Sequence, residues 1–413
     1  MDTITLQLTD IANGGAALGR FEGRVIFVPY ALPGETVRAE ITQDKDRYAF
    51  ASLVEVLEPS SERIAPACPH FGPDKCGGCQ WQHIDYPAQL RLKSEIVADQ
   101  LTRIGGISDP LVRPTLPDDS AWAYRNHAQF HPVPGGGLGF QTANSKDTIP
   151  LDECPILHPL LSDLYASLDP DFDLPGLLRL SLRAGTATGD LMLIFEMEDD
   201  LPPVLETDIP LSCVILLSDR AYANLIGHNH ITEIVSGHTY RISAPSFFQV
   251  NTPQAAQLVR QTLAYLNLQG NETVLDAYSG VGLFTAHLAQ QSELVLGLEE
   301  SPDASADLVE NTTDMGNVDV IEGKVEDVLP DLEISINAAV VDPPRAGIDR
   351  FALDALVELS PARLVYVSCD PATLSRDAKR LERDGYHLVE VQPVDMFPQT
   401  YHVESVALFR NRN

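Results

Sequence analysis

Residues 274–284 read VLDAYSGVGLF, and they indicate the fold of the C-terminal half of the chain. An apolar strand ends at Asp276, and Gly280 and Gly282 then open a helix, because glycine lets the backbone pass close to a ligand. Glu299 ends the next strand, where a carboxylate can accept hydrogen bonds from both ribose hydroxyls of a nucleotide. The stretch therefore predicts a nucleotide site at the edge of a doubly wound sheet.

Strand and helix patterns alternate from residue 246 to the end of the chain, over the segment 246–413. Apolar runs that are separated by helices are typical of a parallel sheet covered on both faces. The predicted strands are 273–277, 294–298, 318–321, 338–342 and 363–368, followed by strand-like runs at 386–392 and 403–409. The predicted helices are 282–290, 302–313, 350–359 and 371–383. The pattern predicts an α/β domain.

The motif VVDPPRAG, residues 340–347, places Asp342 at the end of a predicted strand. Two prolines follow and give a rigid turn, since proline fixes φ and holds the preceding residue extended. Arg345 stands where methyltransferases that act on the amino group of adenine commonly have an aromatic residue. The motif therefore disfavours methylation of an exocyclic amine.

Two other strand ends carry reactive side chains. Cys369, in VYVSCDPATLSRD, lies between a strand and a helix, and a helix N-terminus favours the thiolate. We expect a thiol of lowered pKa that acts as a nucleophile, the alternative being an inert buried cysteine. Glu404, in HVESVALF, begins an apolar strand. A carboxylate there is either paired or a base, unless it faces water at the rim.

The first part of the chain has a different pattern. Residues 1–58 alternate apolar and polar positions between glycine turns, which predicts a small closed β-barrel. Residues 59–245 form a middle region of mixed strands and breaks, with one clear helix pattern at 86–104. Cys213 lies in an apolar run and is expected in the core. We therefore expect three domains, 1–58, 59–245 and 246–413.

Net charge and composition limit the environment of the protein. The chain has 413 residues and a formal net charge of −31. Residues 151–210 and 299–335 each carry a net charge of −11, whereas residues 345–383 carry +1. We expect an anionic ligand to meet the last segment. The sequence has no apolar run of membrane-spanning length and no signal-peptide pattern at its start, which predicts a cytoplasmic protein without a membrane partner.

Three cysteines lie within CPHFGPDKCGGCQWQH, residues 68–83: Cys68, Cys76 and Cys79. Disulfides are rare in the cytoplasm, which argues against a disulfide-linked structure. A metal site or an iron–sulfur cluster remains as an explanation for the group.

Taken together, SFFQVN, DAYSGVGLF, DPPRAG, SCDPATLSRD and HVES resemble the RNA uracil-5-methyltransferase family over residues 245–413. The resemblance implies a class I (Rossmann-like) methyltransferase domain that binds S-adenosylmethionine. Residues 1–58 resemble a TRAM domain, an OB-like RNA-binding barrel. In the family the helix at 86–104 packs with the catalytic domain, so the middle domain is expected to be discontinuous in space.

The resemblance also implies the site residues. Gln249, Tyr278, Gly280, Glu299 and Asp342 match positions that bind S-adenosylmethionine, and Leu283 stands where the family often has Asn. The cysteine segment, together with Cys154 in LDECPIL, is similar to the [4Fe-4S] site of the 23S ribosomal RNA branch, with two extra residues in the first gap. Spacing alone favours zinc over the cluster, and the resemblance reverses that preference. The central region is thus expected to be an α+β domain with an iron–sulfur site.

The chemistry implied by the resemblance is covalent. Cys369 matches the family nucleophile, which adds to C6 of uracil, and Glu404 matches the base that removes the C5 proton. The base must leave its stack, and Phe247 or Phe248 is a candidate stacking surface unless both lie in the core. We expect a monomer that methylates 23S rRNA. The alternatives are the same reaction on tRNA and a non-catalytic, metal-stabilised RNA-binding protein.

Overall fold

The computed structural model describes residues 3–143, 145–168, 174–199, 202–217 and 221–412. Its N-terminal part is a closed barrel with the strand order β1-β2-β3-β5-β4. The strands are β1 (Thr3–Ile11), β2 (Ala17–Phe21), β3 (Arg24–Val28), β4 (Thr36–Asp44) and β5 (Tyr48–Glu58). Ile4, Leu6 and Leu8 of β1 point inward, and the residues between them are exposed. The alternation closes the barrel around one apolar core, and the predicted barrel is confirmed.

A long helix, α1 (Tyr86–Arg103), follows the cysteine segment. The Asp85 side chain caps it by accepting a hydrogen bond from the amide of Ala88 at 2.9 Å. Its buried residues Val97 and Leu101 belong to the core of the C-terminal sheet. The predicted helix and its packing against the C-terminal region are both confirmed.

The middle region contains a seven-stranded sheet with the order β12-β11-β10-β9-β6-β7-β8, and a separate hairpin of β13 and β14. Its elements are β6 (His127–Pro132), β7 (Leu138–Gln141), β8 (Thr148–Pro150), α2 (Pro159–Ser167), β9 (Leu177–Ala184), β10 (Leu191–Met197), β11 (Ser212–Leu216), β12 (Tyr222–Ile226), β13 (His230–Val235) and β14 (His238–Ser243). Cys213 is buried in β11, as predicted.

The C-terminal sheet has the order β17-β16-β15-β18-β19-β21-β20. Its elements are α3 (Thr252–Leu266), β15 (Thr273–Ala277), α4 (Thr285–Ala289), β16 (Leu294–Glu299), α5 (Pro302–Asn311), β17 (Val318–Glu322), α6 (Val325–Val328), β18 (Ala338–Val341), α7 (Arg350–Leu359), β19 (Arg363–Ser368), α8 (Pro371–Arg383), β20 (Tyr386–Val394) and β21 (Glu404–Asn411). Strands β15 to β19 are parallel, and β21 joins them antiparallel. The predicted α/β sheet is confirmed.

Helices cover both faces of this sheet, with α3, α4 and α5 in one core and α1, α6, α7 and α8 in the other. The order reverses between β15 and β18, where a doubly wound sheet binds its ligand. One prediction is wrong in detail, because α4 begins at Thr285 rather than at residue 282. Gly280 and Gly282 have φ of 55° and 93°, so they form a turn before the helix. No helix in the described ranges is long and apolar enough to cross a membrane.

Candidate active site

Three carboxyl groups meet at the carboxyl edge of the C-terminal sheet. Asp276 is the penultimate residue of β15 and Glu404 begins β21, and both are buried. Asp342 follows β18 and is partly buried. Burial and the neighbouring charge of Glu299 raise the pKa of Asp276 to about 7. Burial and the charge of Asp276 raise the pKa of Asp342 to about 7 as well. The edge therefore concentrates acidic groups that share a poorly solvated space.

Glu404 is the most perturbed of the three. Burial and then the charge of Asp342 raise its pKa well above the ordinary value, and the Arg345 guanidinium partly opposes that rise. The alternative that Glu404 faces water at the rim is wrong, because only 3% of the residue is exposed. A buried carboxyl of raised pKa is the type of group that transfers protons near neutral pH.

Cys369 lies half-buried between β19 and α8, in electrostatic reach of Glu404, Asp342 and Arg345. The predicted lowering of its pKa is wrong. Burial, followed by the charges of Glu404 and Asp342, raises the pKa to about 12, and Arg345 opposes the rise. The helix does not favour the thiolate because Asp370 is its N-cap and accepts the amides of Ala372 and Thr373.

A cavity of about 200 Å³ opens onto Cys369. It is lined by Asn13, Gly14, Arg345, Cys369, Asp370, Pro371, Tyr401, His402 and Val403. Asn13 and Gly14 come from the β1–β2 turn of the barrel, which the sequence identified only as a turn. Gly15 explains how that turn comes so near, since a Cβ atom there would lie 2.6 Å from Tyr401 and 2.9 Å from Trp81. The barrel therefore contributes a wall of the Cys369 cavity.

The residues assigned to the cofactor do not all line one space. A second cavity, of about 620 Å³, lies at the carboxyl ends of β15 to β18 and includes Tyr278, Glu300, Val325 and Glu326. Gln249, Gly280, Glu299 and Asp342 are not among its lining residues. Val325 and Glu326 were missed by the sequence reasoning, which had no signal for the residues after β17.

The turn after β15 is nevertheless organised around Glu299. Its two carboxylate oxygens accept the amides of Gly280 and Ser301, each at 2.8 Å. Gln249 is buried, and its carbonyl accepts a hydrogen bond from the Asn126 side chain at 3.1 Å. Leu283 lies in the apolar core rather than at the edge. Leu283 is therefore a packing residue of this core.

The two candidate stacking residues, Phe247 and Phe248, differ in their exposure to solvent. Phe248 is 7% exposed and packs in the core, whereas Phe247 is 69% exposed. Phe247 directly precedes Phe248 and lies two residues before Gln249. Only Phe247 is thus available to contact a base.

Four thiols, those of Cys68, Cys76, Cys79 and Cys154, line one further cavity. Among the described residues, however, no three cysteine, histidine or acidic side chains are arranged to hold a metal ion. The predicted iron–sulfur site is therefore not confirmed. Burial raises the pKa of Cys79 to about 12 and of Cys154 to about 11, and the neighbouring thiols add to both rises.

Backbone N–H groups donate hydrogen bonds to two of these sulfur atoms. The amide of Gly78 donates to Cys76 Sγ at 3.4 Å, and backbone donors of Ile156 and Leu157 reach Cys154. Such donors favour the thiolate, which is the form that binds metals. Four thiols with N–H donors around one cavity are the type of ligand that a thiolate-bound metal centre uses, although the described side chains are not arranged around a metal ion.

Comparison with known proteins agrees with this geometry. The family model "tRNA (Uracil-5-)-methyltransferase" matches residues 226–412, and the TRAM domain model matches residues 2–54. An uncharacterized RNA methyltransferase of Halalkalibacterium halodurans is 37% identical over 100% of this chain and 98% of its own length. One of Nostoc is also 37% identical, over 98% of this chain and 96% of its own.

Among solved structures, the Pyrococcus abyssi tRNA (uracil-54, C5)-methyltransferase in complex with S-adenosyl-L-homocysteine has a TM-score of 0.77 and 25% identity. The match covers 98% of this chain and 100% of that one, so it includes the barrel, the middle region and the C-terminal sheet. The chain therefore belongs to the RNA uracil-5-methyltransferase family with an N-terminal TRAM domain, and it is an RNA methyltransferase that uses S-adenosylmethionine.

Proposed function

We propose that this enzyme methylates C5 of a uridine through a temporary covalent bond between Cys369 and C6 of the base, with Glu404 as the proton acceptor. One observation carries the proposal. The thiol and the buried carboxyl come from adjacent strands, since β19 ends at Ser368 opposite Ser405 of β21, and the charge of Glu404 raises the pKa of Cys369. The two groups can therefore act on neighbouring carbons of one pyrimidine ring.

The steps balance as follows. The Cys369 thiolate adds to C6, and the electron pair of the C5–C6 double bond moves onto the ring as an enolate. S-adenosylmethionine, when bound, would supply the methyl group. The enolate carbon C5 takes that group as the bond between the methyl carbon and the sulfonium sulfur breaks, and S-adenosylhomocysteine is the leaving group. Glu404 then takes the C5 proton, the double bond re-forms and the C6–sulfur bond breaks. The thiolate leaves as it entered, so the enzyme is regenerated when Glu404 releases its proton.

Arg345 is the group we assign to thiol activation. It lines the cavity beside Cys369, and it opposes the rise in pKa of both Cys369 and Glu404. It is exposed and forms no ion pair with an acidic group of the described residues. A cation close to a thiol favours the thiolate, so Arg345 counteracts the acidic edge at the moment of attack.

We assign cofactor binding to Gln249, Tyr278, Gly280, Glu299 and Asp342. The residues present fit a cationic sulfonium cofactor, because the edge is acidic and Asp276 Oδ1 is buried without a hydrogen-bond partner among the described residues. An unpaired buried carboxyl oxygen is costly, and a cationic or hydrogen-bonding group bound at this edge would satisfy it. Titrating variants of these residues with S-adenosylhomocysteine in a calorimeter tests each assignment separately.

For the substrate we propose 23S rRNA, with tRNA as the second candidate. The TRAM barrel and the four-cysteine cavity support the ribosomal branch. The full-length likeness to a structure named as a tRNA (uracil-54, C5)-methyltransferase favours tRNA, because that enzyme also spans the barrel.

Labelled S-adenosylmethionine and unmodified RNA test the function and the substrate together. We expect C5-methyluridine in 23S rRNA, lost in Cys369→Ala and kept in Cys213→Ala. Methylation of tRNA alone would transfer the proposal to the second candidate. Methylation of neither RNA by the wild-type enzyme would contradict the function.

We propose that the RNA meets the barrel and the Arg345 side of the C-terminal region, and that the enzyme acts as a monomer. On the barrel, Tyr48 and Phe50 are 40% and 38% exposed, and exposed Lys45 and Arg47 precede them. Aromatic faces beside cations are typical of single-strand binding. The cations of α8 contribute less, since Arg376 and Arg380 are paired with Asp377 and Asp354.

We further propose that the four cysteines hold a [4Fe-4S] cluster, with zinc as the alternative. Cys68, Cys76, Cys79 and Cys154 would be the ligands, and the group would supply a structural crosslink rather than electrons. Protein prepared without oxygen should be brown, with broad absorbance near roughly 400 nm, and should contain about four irons per chain. A colourless protein with one zinc would select the alternative.

A further inference from the structure

The loop of residues 395–403, between β20 and β21, is mostly buried although it has no regular secondary structure. It ends directly before Glu404, and its residues Tyr401 and His402 line the Cys369 cavity. A buried backbone without a helix or a sheet must find hydrogen-bond partners elsewhere. Those partners determine where the cavity wall and Glu404 lie.

Three consecutive carbonyls of this loop are held by donors from other parts of the chain. Lys93 Nζ donates to the carbonyl of Phe397 at 3.0 Å, Tyr124 Oη to that of Pro398 at 3.0 Å, and the amides of Gln80 and Trp81 to that of Gln399 at 3.1 and 2.9 Å. None of these donors lies in β20 or β21, so the loop takes its position from the middle region and α1.

Gln399 is the centre of this arrangement. It has a φ of 68°, which is uncommon and strained for a residue other than glycine. The backbone amide of Gln399 donates to Gln89 Oε1 at 3.0 Å, and the side-chain Nε2 of Gln89 donates back to the side-chain Oε1 of Gln399 at 3.1 Å. The reciprocal pair joins the loop to α1 and holds the strained conformation.

The donors in two of these contacts lie next to the four-cysteine cavity. Gln80 and Trp81 directly follow Cys79, which lines that cavity. Tyr124 packs in one small cluster with Cys79. Two of the three carbonyl contacts therefore come from residues that move if the thiols move.

We propose that Gln399 is a positioning residue through which the four-cysteine site sets the place of Glu404 and of the cavity wall relative to Cys369. The role in methyl transfer rests on the proposed function, whereas the mechanical link does not. When the thiols lose their arrangement, the backbone amides of Gln80 and Trp81 shift, the loop loosens and Cys369 becomes more accessible than it already is through its cavity.

The first test compares Gln399→Gly with a matched control, Gln392→Ala. Glycine keeps the left-handed backbone and the backbone N–H that donates to Gln89 Oε1, but it loses the side-chain oxygen that accepts from Gln89 Nε2. Gln392, on β20, has another buried side-chain amide, which donates hydrogen bonds to the carbonyls of Pro114 and Pro393. We expect iodoacetamide to alkylate Cys369 about tenfold faster in Gln399→Gly, with faster amide exchange over 397–403. The control should behave as wild type.

Kinetics add a readout that general instability would not produce. The Gln399→Gly variant should lose kcat and keep its KM for S-adenosylmethionine, because Gln399 lines neither cavity. Gln399→Asn should recover part of the loss, since asparagine tolerates this backbone region and keeps an amide. Equal effects of Gln399→Gly and Gln392→Ala would overturn the assignment.

The second test probes the link itself. Cys79→Ser should accelerate exchange over 397–403 and alkylation of Cys369, and adding Gln399→Gly should change little more, because the two act on one element. If Cys79→Ser does not fold, metal is removed from the wild-type protein with a chelator and the same readouts are followed. Unchanged exchange over 397–403 would overturn the link. Neither readout requires RNA or methyl transfer, so a failure of the proposed function would be recognised separately.

Discussion

The Cys369 cavity and the four-cysteine cavity use the same side chain in different surroundings. Burial raises the pKa of Cys369 and Cys79 alike, each to about 12. The neighbours differ, since Cys369 meets three carboxyls, those of Glu404, Asp342 and Asp370, and one arginine. Cys79 instead meets other thiols and a side-chain hydrogen bond from Gln82.

A third thiol shows what burial does alone. Cys213, in the core of the middle region, has its pKa raised to about 11 by burial and by no charged neighbour. Burial therefore does not distinguish the proposed nucleophile Cys369 and the proposed ligand Cys79 from the core residue Cys213. The charges and donors around each sulfur do, and the predictions below alter those surroundings one at a time.

The largest effect is expected from Cys369→Ala. Removing the nucleophile should lower methyl transfer by about 10⁴-fold or more, measured with labelled S-adenosylmethionine under single-turnover conditions. Cys213→Ala is the matched control and should stay within about twofold of wild type, since it loses only packing. A comparable loss in both variants would mean that the assay reports folding rather than chemistry.

Cys154→Ser should show the opposite pattern, because it changes the four-cysteine cavity rather than the Cys369 cavity. We expect loss of bound metal and a fall in Tm of about 5 °C or more, followed by calorimetry. Cys369→Ala should keep the metal content and nearly the wild-type Tm. A Tm unaffected by Cys154→Ser would show that the four thiols contribute no crosslink.

The pH dependence follows from the direction of the pKa shifts. Burial raises the pKa of Cys369 to about 12 and raises the pKa of Glu404 as well. The proposed reaction needs both groups deprotonated, so the rate should rise as the pH is raised. Arg345→Met removes the opposing cation, which should raise both pKa values further. We expect about tenfold lower activity near pH 7.5 and a profile displaced upward by about one unit. An identical profile would exclude Arg345 from thiol activation.

The smallest effect is expected from Phe247→Leu. This side chain is exposed, so its loss should leave Tm unchanged. If it stacks on the displaced base, the KM for RNA should rise about fivefold while the KM for S-adenosylmethionine stays constant. Phe248→Leu, its buried neighbour, should instead lower Tm, and the reverse pattern would contradict the assignment.

The sequence predicts most of the sheet because local patterns decide it. Apolar runs separated by amphipathic helices gave β15 to β19 and their helices, and strand-end motifs led to Asp342, Cys369 and Glu404. The start of α4 was misplaced, because glycine opens a turn as readily as a helix.

What the sequence could not predict depends on distant contacts. Asn13 and Gly14 reach the Cys369 cavity only because the barrel docks on Trp81 and Tyr401. The pKa of Cys369 was predicted with the wrong sign, since the carboxyls that raise it come from other strands. Gln399 carries no motif, and its importance lies in the partners that the fold supplies.

Trapping of the covalent adduct tests whether Cys369 and Glu404 act on the same uracil. Glu404→Gln can accept no C5 proton, so the methylated ring should stay bonded to Cys369. Incubation with S-adenosylmethionine and substrate RNA should give a denaturation-resistant protein–RNA band, absent from the double variant Cys369→Ala/Glu404→Gln. Failure of Glu404→Gln to form that band on an RNA that the wild-type enzyme methylates would contradict the joint action of Cys369 and Glu404 on one uracil.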